Sequence, residues 1–298
     1  MDSHSNIVLI TGINGFTGKY LKKYLKENNY EVFGISNQLS KKDANILKGD
    51  ITLKEEVISI FKSIKPNYVF HLAAISFVQH TNLEEIYNVN IIGTQNILEA
   101  CLEIKDSLKK IILASSASVY GNQHETILHE NLCPNPVNHY GISKLGMEHL
   151  SKSYFQKLPI IITRPFNYTA PGHGEQFVIP KIAKAFNKQE KILELGNLNV
   201  FREYNSINFV CEVYYKLMNS KAMSEIVNIA SGNPHSLSEV VALFEKETMH
   251  HPQIKINPKF VRDNEIERLT GSTIKLESLI ELPYNYSINE VVNSFIKK

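Results

Sequence analysis

Short apolar runs recur through the first half of the chain, and each is followed by enough sequence for a helix. The first run, Asn6 to Thr11, leads into glycines and then into a helical pattern from Phe16 to about Lys26. Similar runs stand at 31–35, 68–72, 110–114 and 160–163. Continuous apolar strands that alternate with helices are typical of a parallel sheet covered on both faces. We therefore predict a Rossmann-type doubly wound α/β domain over residues 1–165.

The pattern is less regular after residue 165. Pro171-Gly172-His173-Gly174 indicates a loop. A strand-like run at 225–229 is predicted to rejoin the first sheet, so residues 204–232 are grouped with the first domain. Residues 166–203 and 233–298 are predicted to form a smaller mixed α/β domain. Within it, Ser236-x-x-Glu239 and Ser287-x-x-Glu290 are capping boxes that predict the starts of two helices.

Composition excludes several function classes. The 298 residues carry a net charge of +2 with both signs interspersed, which does not indicate a nucleic-acid partner. No apolar run reaches roughly 18 residues and the N-terminus lacks the features of a secretory signal, so we expect a cytoplasmic protein with no membrane partner. The three cysteines have neither metal-site spacing nor an even count, so we expect no zinc site and no disulfide framework.

Arginine is rare and unevenly placed. Only four of the 32 basic residues are arginines, and all lie in the second half of the chain: Arg164, Arg202, Arg262 and Arg268. Because a planar guanidinium binds phosphate through two hydrogen bonds, this placement indicates an anionic substrate group held by the C-terminal half. The alternative is that these arginines form ordinary salt bridges, and for Arg268 we prefer it.

Tyr140 and Lys144 carry the first candidate chemistry. Of the 14 tyrosines, only Tyr140 has a lysine four residues later, which places both side chains on one helical face. An ammonium beside a phenol favours the phenolate and permits proton exchange with a substrate oxygen. The alternative is a chance pairing on a surface helix. Ser116, at the carboxyl end of the run at 110–114, can donate a hydrogen bond to the same oxygen, whereas Ser115 is predicted to bond to local backbone.

A glycine-rich turn near the N-terminus is the second candidate functional feature. Gly12-x-x-Gly15-x-x-Gly18 follows the first predicted strand and opens the first helix. In that position glycines allow a tight turn and close approach of a pyrophosphate, which the helix N-terminus stabilises. Glycines at such a turn can also serve chain geometry alone.

The end of the second predicted strand bears on cofactor choice. An NAD enzyme usually places Asp or Glu there to bind the ribose 2′-hydroxyl. This chain has Ser36 and Asn37 instead, with Lys41 and Lys42 close behind. Since no carboxylate stands there to repel a 2′-phosphate, we predict a preference for NADP(H). NAD(H) stays open, because Asn37 can bond a plain ribose hydroxyl.

Glycine turn, serine cluster and Tyr-x-x-x-Lys, in this order, resemble the extended short-chain dehydrogenase/reductase family that acts on nucleotide sugars. The resemblance implies that Ser116 and Tyr140 are catalytic, and that Lys144 binds the nicotinamide ribose and lowers the pKa of Tyr140. It also implies a homodimer through the helices near 85–104 and 140–157. The implied cofactor contacts are Gly12, Asn14, Gly15, Phe16, Gly18, Ser36, Asn37, Asp50, Ile51, Leu72, Ala73, Ala74, Tyr140, Lys144 and Pro165.

The second half is most similar to GDP-mannose 4,6-dehydratases and their GDP-4-keto-6-deoxymannose reductase relatives, on stretches 164–172, 177–182, 196–203 and 261–265. That likeness assigns 166–203 and 233–298 to nucleotide-sugar binding, with Arg202 and Arg262 at the diphosphate. Glu203, Asp263 and Ser272 depart from the family pattern and leave the nucleotide base open, with GDP favoured. For Ser76, a structural role in a loop is the alternative to substrate binding. The implied substrate contacts are Ser76, Asn167, Val178, Lys181, Arg202 and Arg262.

One sequence position distinguishes the 4,6-dehydratases of this family from its other enzymes. Its 4,6-dehydratases carry a carboxylate two residues before the Val-Tyr tyrosine, where this chain has Ser118. General acid–base catalysis contributes roughly two to four powers of ten in rate, so a chain without that carboxylate is a poor dehydratase. We therefore predict NADPH-dependent reduction of the 4-keto group of a nucleotide-linked 4-keto-6-deoxy sugar. The alternatives are a 4-epimerase that retains NAD, a 4,6-dehydratase, and a non-catalytic nucleotide-sugar binder.

Overall fold

The largest sheet of the computed structural model has seven strands, all parallel, in the order β11-β6-β5-β4-β1-β2-β3. The structure describes residues 6–37, 43–76, 81–261, 266–284 and 286–296. Within them the strands are β1 (Ile7–Thr11), β2 (Glu31–Ser36), β3 (Ile46–Lys48), β4 (Tyr68–His71), β5 (Lys110–Ala114), β6 (Ile160–Pro165), β7 (Tyr168–Thr169), β8 (Ile192–Leu195), β9 (Phe201–Glu203), β10 (Asn205–Ser206), β11 (Glu225–Ile229), β12 (Pro234–Ser236), β13 (Gln253–Ile256) and β14 (Arg268–Leu269).

Helices cover both faces of this sheet and build the C-terminal part. In chain order they are α1 (Phe16–Glu27), α2 (Lys54–Ile64), α3 (Leu83–Tyr87), α4 (Gly93–Glu103), α5 (His139–Lys152), α6 (Val178–Asn187), α7 (Ile207–Asn219), α8 (Leu237–Thr248), α9 (Ile274–Leu279) and α10 (Ile288–Phe295). A π-helical turn, Asn88–Ile92, joins α3 to α4. A 3-10 turn, Ala117–Val119, follows β5.

Successive side chains of the central strands pack into two different hydrophobic cores, one on each face of the sheet, because side chains alternate between the faces of a strand. Ile10 and Phe70 pack with α1 and α7 on one face, whereas Leu9 and Val69 pack with α2 and α4 on the other. All four side chains are fully buried. The predicted doubly wound parallel sheet is therefore confirmed.

Strand β11 comes from the C-terminal half but belongs to the first sheet. It pairs in parallel with β6 along its whole length, from Glu225 opposite Ile161 to Ile229 opposite Pro165. The predicted return of this run to the sheet is confirmed, while the division of the chain into two domains stays a prediction.

The rest of the C-terminal half packs around a core of its own. Sheet β12-β9-β14 and the pair β13-β8 lie there with α6, α8 and α10. Both predicted capping boxes are present: the Ser236 and Ser287 hydroxyls accept from the Glu239 and Glu290 amides, and each glutamate bonds back to the serine amide. Among the described residues, no helix combines the length and apolar character that crossing a bilayer requires.

Candidate active site

A cavity of about 600 Å³ opens where β1, β4, β5 and β6 end. This is the edge at which open parallel sheets bind ligands. The structure brings thirteen of the predicted site residues to its wall: Gly12, Gly15, Phe16, Gly18, Leu72, Ala74, Ser76, Ser116, Tyr140, Lys144, Pro165, Asn167 and Val178.

The glycine turn forms one wall of the cavity and leaves no room for side chains. Gly12 has φ of +70°, and a Cβ there would lie 2.8 Å from the Ala73 nitrogen. A Cβ on Gly18 would lie 2.3 Å from the Gly12 oxygen. Helix α1 begins beyond Gly15 with no side-chain cap, so amides of its first turn are left to bind a ligand. The cradle therefore fits the pyrophosphate of a dinucleotide.

Six predicted cofactor residues lie outside the cavity wall: Asn14, Ser36, Asn37, Asp50, Ile51 and Ala73. The Asn14 side-chain amide donates to the Ser36 hydroxyl at 2.9 Å, which ties the glycine turn to the end of β2. The Asp50 carboxylate accepts from the Thr52 amide at 2.9 Å. Their contact with the adenosine end of a cofactor stays a prediction, and Lys41 and Lys42 lie outside the described residues.

Helix α5 presents Tyr140 and Lys144 to the cavity. The Asn138 side chain caps it by accepting from the Gly141 amide at 2.9 Å, so Tyr140 lies in the first turn and Lys144 one turn later. A Cβ on Gly141 would lie only 2.7 Å from the Ser118 oxygen, so its absence lets α5 pack against the 3-10 turn. Ser116 caps that turn and is hydrogen bonded to the Tyr140 hydroxyl. The predicted trio is thus gathered at one place.

The charge state of the pair differs from the expectation. Burial raises the pKa of Tyr140 to about 12, with the hydrogen bond from Ser116 opposing that rise. The Lys144 ammonium donates to the Ala114 carbonyl at 2.6 Å, and burial lowers its pKa to about 8. Removal of the phenol from water therefore raises its pKa overall, and the lowering of the Tyr140 pKa by Lys144 stays a prediction.

His71 supports the cavity floor without lining it. Its Nδ1 lies 2.7 Å from the Thr11 hydroxyl and its Nε2 lies 2.8 Å from the Thr94 hydroxyl. Thr94 donates its own proton to the Asn90 carbonyl, so Nε2 must be the protonated nitrogen and Nδ1 the acceptor. Burial lowers the pKa of His71 to about 3. The ring is neutral at ordinary pH and fixes the ends of β1 and β4.

The sequence did not reveal six further residues of the wall: Thr17, Tyr168, His173, Phe177, Tyr204 and Tyr214. The His173 ring stacks between Phe16 and Phe177, with centroid distances of 4.1 and 3.9 Å. The Tyr168 hydroxyl lies 2.8 Å from that of Thr17. These contacts fasten the loop before α6 onto the start of α1. In the sequence, Pro171-Gly172-His173-Gly174 indicated a loop and the family likeness covered 164–172 and 177–182, but neither signal paired these residues with α1.

The predicted substrate residues are only partly assembled. Asn167, Val178 and Ser76 line the cavity, but Lys181 and Arg202 do not. The Lys181 ammonium lies 3.6 Å from the centroid of the Phe260 ring. The Arg202 guanidinium donates to main-chain carbonyls of Phe201, Ile266 and Glu267. Arg262 lies outside the described residues.

Two expectations about single residues are wrong. Arg164 was counted among the arginines placed for an anionic substrate, yet it is buried and binds Glu148 through two hydrogen bonds of 2.9 and 2.7 Å. Ser115 donates to the same carboxylate at 2.6 Å rather than to local backbone. Arg268 lies over the Phe201 ring, 4.4 Å from its centroid.

Comparison with known proteins identifies the family. Residues 9–295 match the family described as GDP-mannose 4,6 dehydratase. The chain belongs to this family. The extended short-chain dehydrogenase/reductase resemblance is thereby confirmed, and the protein is an NAD(P)-dependent nucleotide-sugar oxidoreductase of that type.

Individual relatives of this GDP-mannose 4,6-dehydratase family member are similar along almost their whole length. A GDP-6-deoxy-D-talose 4-dehydrogenase from Aggregatibacter actinomycetemcomitans is 34% identical, covering 97% of both chains. A GDP-6-deoxy-D-mannose reductase from Pseudomonas aeruginosa is 27% identical over 90% of this chain and 89% of that protein. The crystal structure of a candidate epimerase from Burkholderia cenocepacia J2315 has a TM-score of 0.90 and 32% identity, covering 98% of both chains.

Proposed function

We propose that the protein reduces the 4-keto group of a GDP-linked 4-keto-6-deoxy sugar with NADPH. One observation carries this proposal: the cavity joins Ser116, Tyr140 and Lys144, and no described residue that lines it has a carboxyl group. The ionisable side chains of the described wall are Tyr140, Lys144, Tyr168, His173, Tyr204 and Tyr214. Such a wall can donate a proton and hold positive charge, but it lacks a carboxylate base.

The protonation states suit reduction. Since burial raises the pKa of Tyr140 to about 12, the phenol keeps its proton at neutral pH and can give it to a developing alkoxide. Ser116, bonded to the same hydroxyl, orients that proton and can donate to the substrate oxygen. The Lys144 ammonium supplies positive charge beside them. The glycine turn and Lys144 would hold the dinucleotide, whose nicotinamide supplies the hydride when bound.

The same wall argues against dehydration. A 4,6-dehydratase must remove a proton from C5 and protonate the departing C6 hydroxyl. Ser118 lines the cavity where the resemblance expects a carboxylate, and neither Ser118 nor the neighbouring Ala117 can ionise at neutral pH. The missing group is worth roughly two to four powers of ten in rate.

The names of two relatives support GDP as the nucleotide and C4 as the reacting carbon. The Aggregatibacter protein is named for oxidation at C4 of GDP-6-deoxy-D-talose, and the Pseudomonas protein for a GDP-6-deoxy-D-mannose reductase activity. Oxidation of a C4 hydroxyl and reduction of a C4 ketone are one reaction in opposite directions. GDP and C4 are therefore our choice for this chain, with 6-deoxy-talose the favoured configuration of the product.

Incubation with a panel of 4-keto-6-deoxy sugars linked to GDP, dTDP or UDP tests this proposal. We expect NADPH absorbance to fall with the GDP-linked ketone, in proportion to a product with a C4 hydroxyl. The product is identified by mass spectrometry and NMR. Turnover of GDP-mannose to its 4-keto-6-deoxy form, or no turnover of any ketone, would overturn the assignment.

NADPH is expected to give the larger kcat/KM when it is compared with NADH in this assay. Ser36 and Asn37 end β2 without a carboxylate, so no negative charge of that strand end repels a 2′-phosphate. An equal or higher kcat/KM with NADH would contradict this preference and favour the alternative, in which Asn37 bonds a plain ribose hydroxyl.

An epimerase is the second candidate, because the Burkholderia structure of that description is similar along its whole length. A 4-epimerase uses the same trio but regenerates its NAD within each cycle. Purified protein would then carry bound dinucleotide and interconvert two GDP-sugars without added NADPH. A strict requirement for added NADPH decides for the reductase.

The family resemblance also predicts a homodimer through the helices near 85–104 and 140–157. Ile92 beside α4 and Ile142 on α5 support it, since these apolar side chains are 44% and 41% exposed. The homodimer and a cytoplasmic location both stay predictions.

A further inference from the structure

Glu148 and Arg164 form a buried ion pair behind the cavity. Their side chains are 0% and 2% exposed, and two hydrogen bonds join the guanidinium to the carboxylate. Neither residue lines the cavity. Removing two charges from water costs energy that their attraction often only offsets, so stability alone is a weak explanation for this pair.

The pair holds the segment that carries Ser116 from both sides. On one side, Ser115 donates to the Glu148 carboxylate at 2.6 Å. On the other, the Arg164 guanidinium lies over the Tyr120 ring, 4.8 Å from its centroid. Tyr120 is also anchored through its hydroxyl, which donates to the Asn228 side chain on β11 at 2.7 Å. Ser116 therefore lies between two residues that the same ion pair fixes.

Glu148 also lies one helical turn beyond Lys144 on α5, so its carboxylate and the Lys144 ammonium lie on one face of that helix. The Glu148 charge raises the pKa of Lys144 against the larger lowering by burial. Lys144 shares the cavity wall with Tyr140, and its charge adds to the lowering of the His71 pKa on β4. Arg164 on β6 is bonded to the Glu148 carboxylate.

We propose that the Glu148–Arg164 pair is a positioning element of the active site, which holds Ser116 in register with Tyr140 and sets a carboxylate against Lys144. Both residues act through the three that line the cavity. The kinetic side of this inference rests on the proposed ketone reduction.

Glu148→Gln tests the pair with little change of shape. The amide can still bond Ser115, but Arg164 is left as an unpaired buried charge. We expect kcat to fall by roughly a hundredfold, the loss typical of a small misplacement of catalytic groups, with little change in KM for the sugar. The alkaline fall of kcat should move to lower pH, because the ammonium has lost the charge that raises its pKa.

A double variant separates positioning from folding. Glu148→Met with Arg164→Met replaces the pair by apolar side chains of similar volume, a change that is often neutral or stabilising. We expect the melting temperature to be kept and kcat to fall at least about tenfold, since Ser115 loses its hydrogen bond to Glu148 and Tyr120 loses its contact with Arg164. A folded double variant with wild-type kcat would overturn the proposal.

Lys110→Met is the matched control, because Lys110 is a buried charge at the start of β5, the strand that leads to Ser115 and Ser116. Lys110 is 4% exposed at the opposite end of β5, where its ammonium donates to the carbonyls of Ser220 and Ala222. Loss of this buried charge should alter the melting temperature and leave kcat unchanged. A loss of kcat equal to that of Glu148→Gln would mean that loss of any buried charge around the sheet lowers kcat, which contradicts positioning.

NADPH binding distinguishes failure of this inference from failure of the proposed function. The titration of NADPH against pH needs no sugar, so it reports on Lys144 even if no ketone of the panel is reduced. In Glu148→Gln the alkaline loss of NADPH affinity should move to lower pH. An affinity profile identical to that of the wild type would overturn the proposal whatever the substrate is.

Discussion

Tyr140→Phe is expected to lower kcat for ketone reduction by roughly two to four powers of ten, the usual contribution of a positioned acid. Phenylalanine keeps the ring in the first turn of α5 and removes only the hydroxyl that bonds to Ser116. Cofactor affinity should change little, since the glycine turn and Lys144 remain. Steady-state kcat and fluorescence titration of NADPH measure the two effects separately.

Tyr154→Phe is the control for this change. Tyr154 follows α5 and does not line the cavity, so its hydroxyl should be dispensable for turnover. If Tyr140→Phe kept more than about a hundredth of the wild-type kcat, a smaller loss than the two to four powers of ten expected for an acid, another group would be the proton donor. Tyr168, whose hydroxyl already lies 2.8 Å from that of Thr17, would be the next phenol to test.

Lys144→Met is expected to lower kcat/KM by roughly two powers of ten or more, because both the positive charge beside the reacting oxygen and a ribose contact are lost. The wild type should show the charge directly in its pH profile. Burial lowers the pKa of Lys144 to about 8, so the ammonium is present below that pH and is lost as pH rises through it. Wild-type activity should therefore fall above pH 8, and the variant should lack that fall.

Stability should change with pH in the opposite direction. The lysine has an ordinary pKa of 10.5 when unfolded and about 8 when folded, so between these values the unfolded chain binds more protons. The contribution of Lys144 to the free energy of unfolding consequently rises from pH 8 to 10.5 while activity falls. Denaturant titrations over this range measure it. Parallel loss of activity and stability would show that alkaline unfolding, and not Lys144, ends the reaction.

The features that the sequence predicted are those encoded by neighbouring residues. The glycine turn follows directly from a strand and opens a helix, and Tyr140 and Lys144 need only the helical period to share a face. Ser116 was placed by the end of an apolar run. Such signals lie within a few consecutive positions. They can therefore be recognised without knowledge of the tertiary structure.

What the sequence missed depends on contacts between distant segments. No sequence pattern near Arg164 identifies Glu148 as its partner. Arg164, which forms a buried ion pair, was therefore predicted to bind an anionic substrate group. The stack of Phe16 on His173 joins residues that no spacing rule connects. The net rise of the Tyr140 pKa was not predicted either, since burial is a property of the folded molecule and charge spacing alone suggested a lowering.

The return of β11 to the first sheet constrains how the chain can be made. All six residues of β6 are buried, so without β11 that strand is an unpaired sheet edge open to pairing with other chains. During translation, the first 165 residues leave the ribosome well before residue 229, and until then the nascent sheet stays incomplete on that side. The nascent chain must therefore keep β6 apart from neighbouring polypeptides while some sixty residues are added.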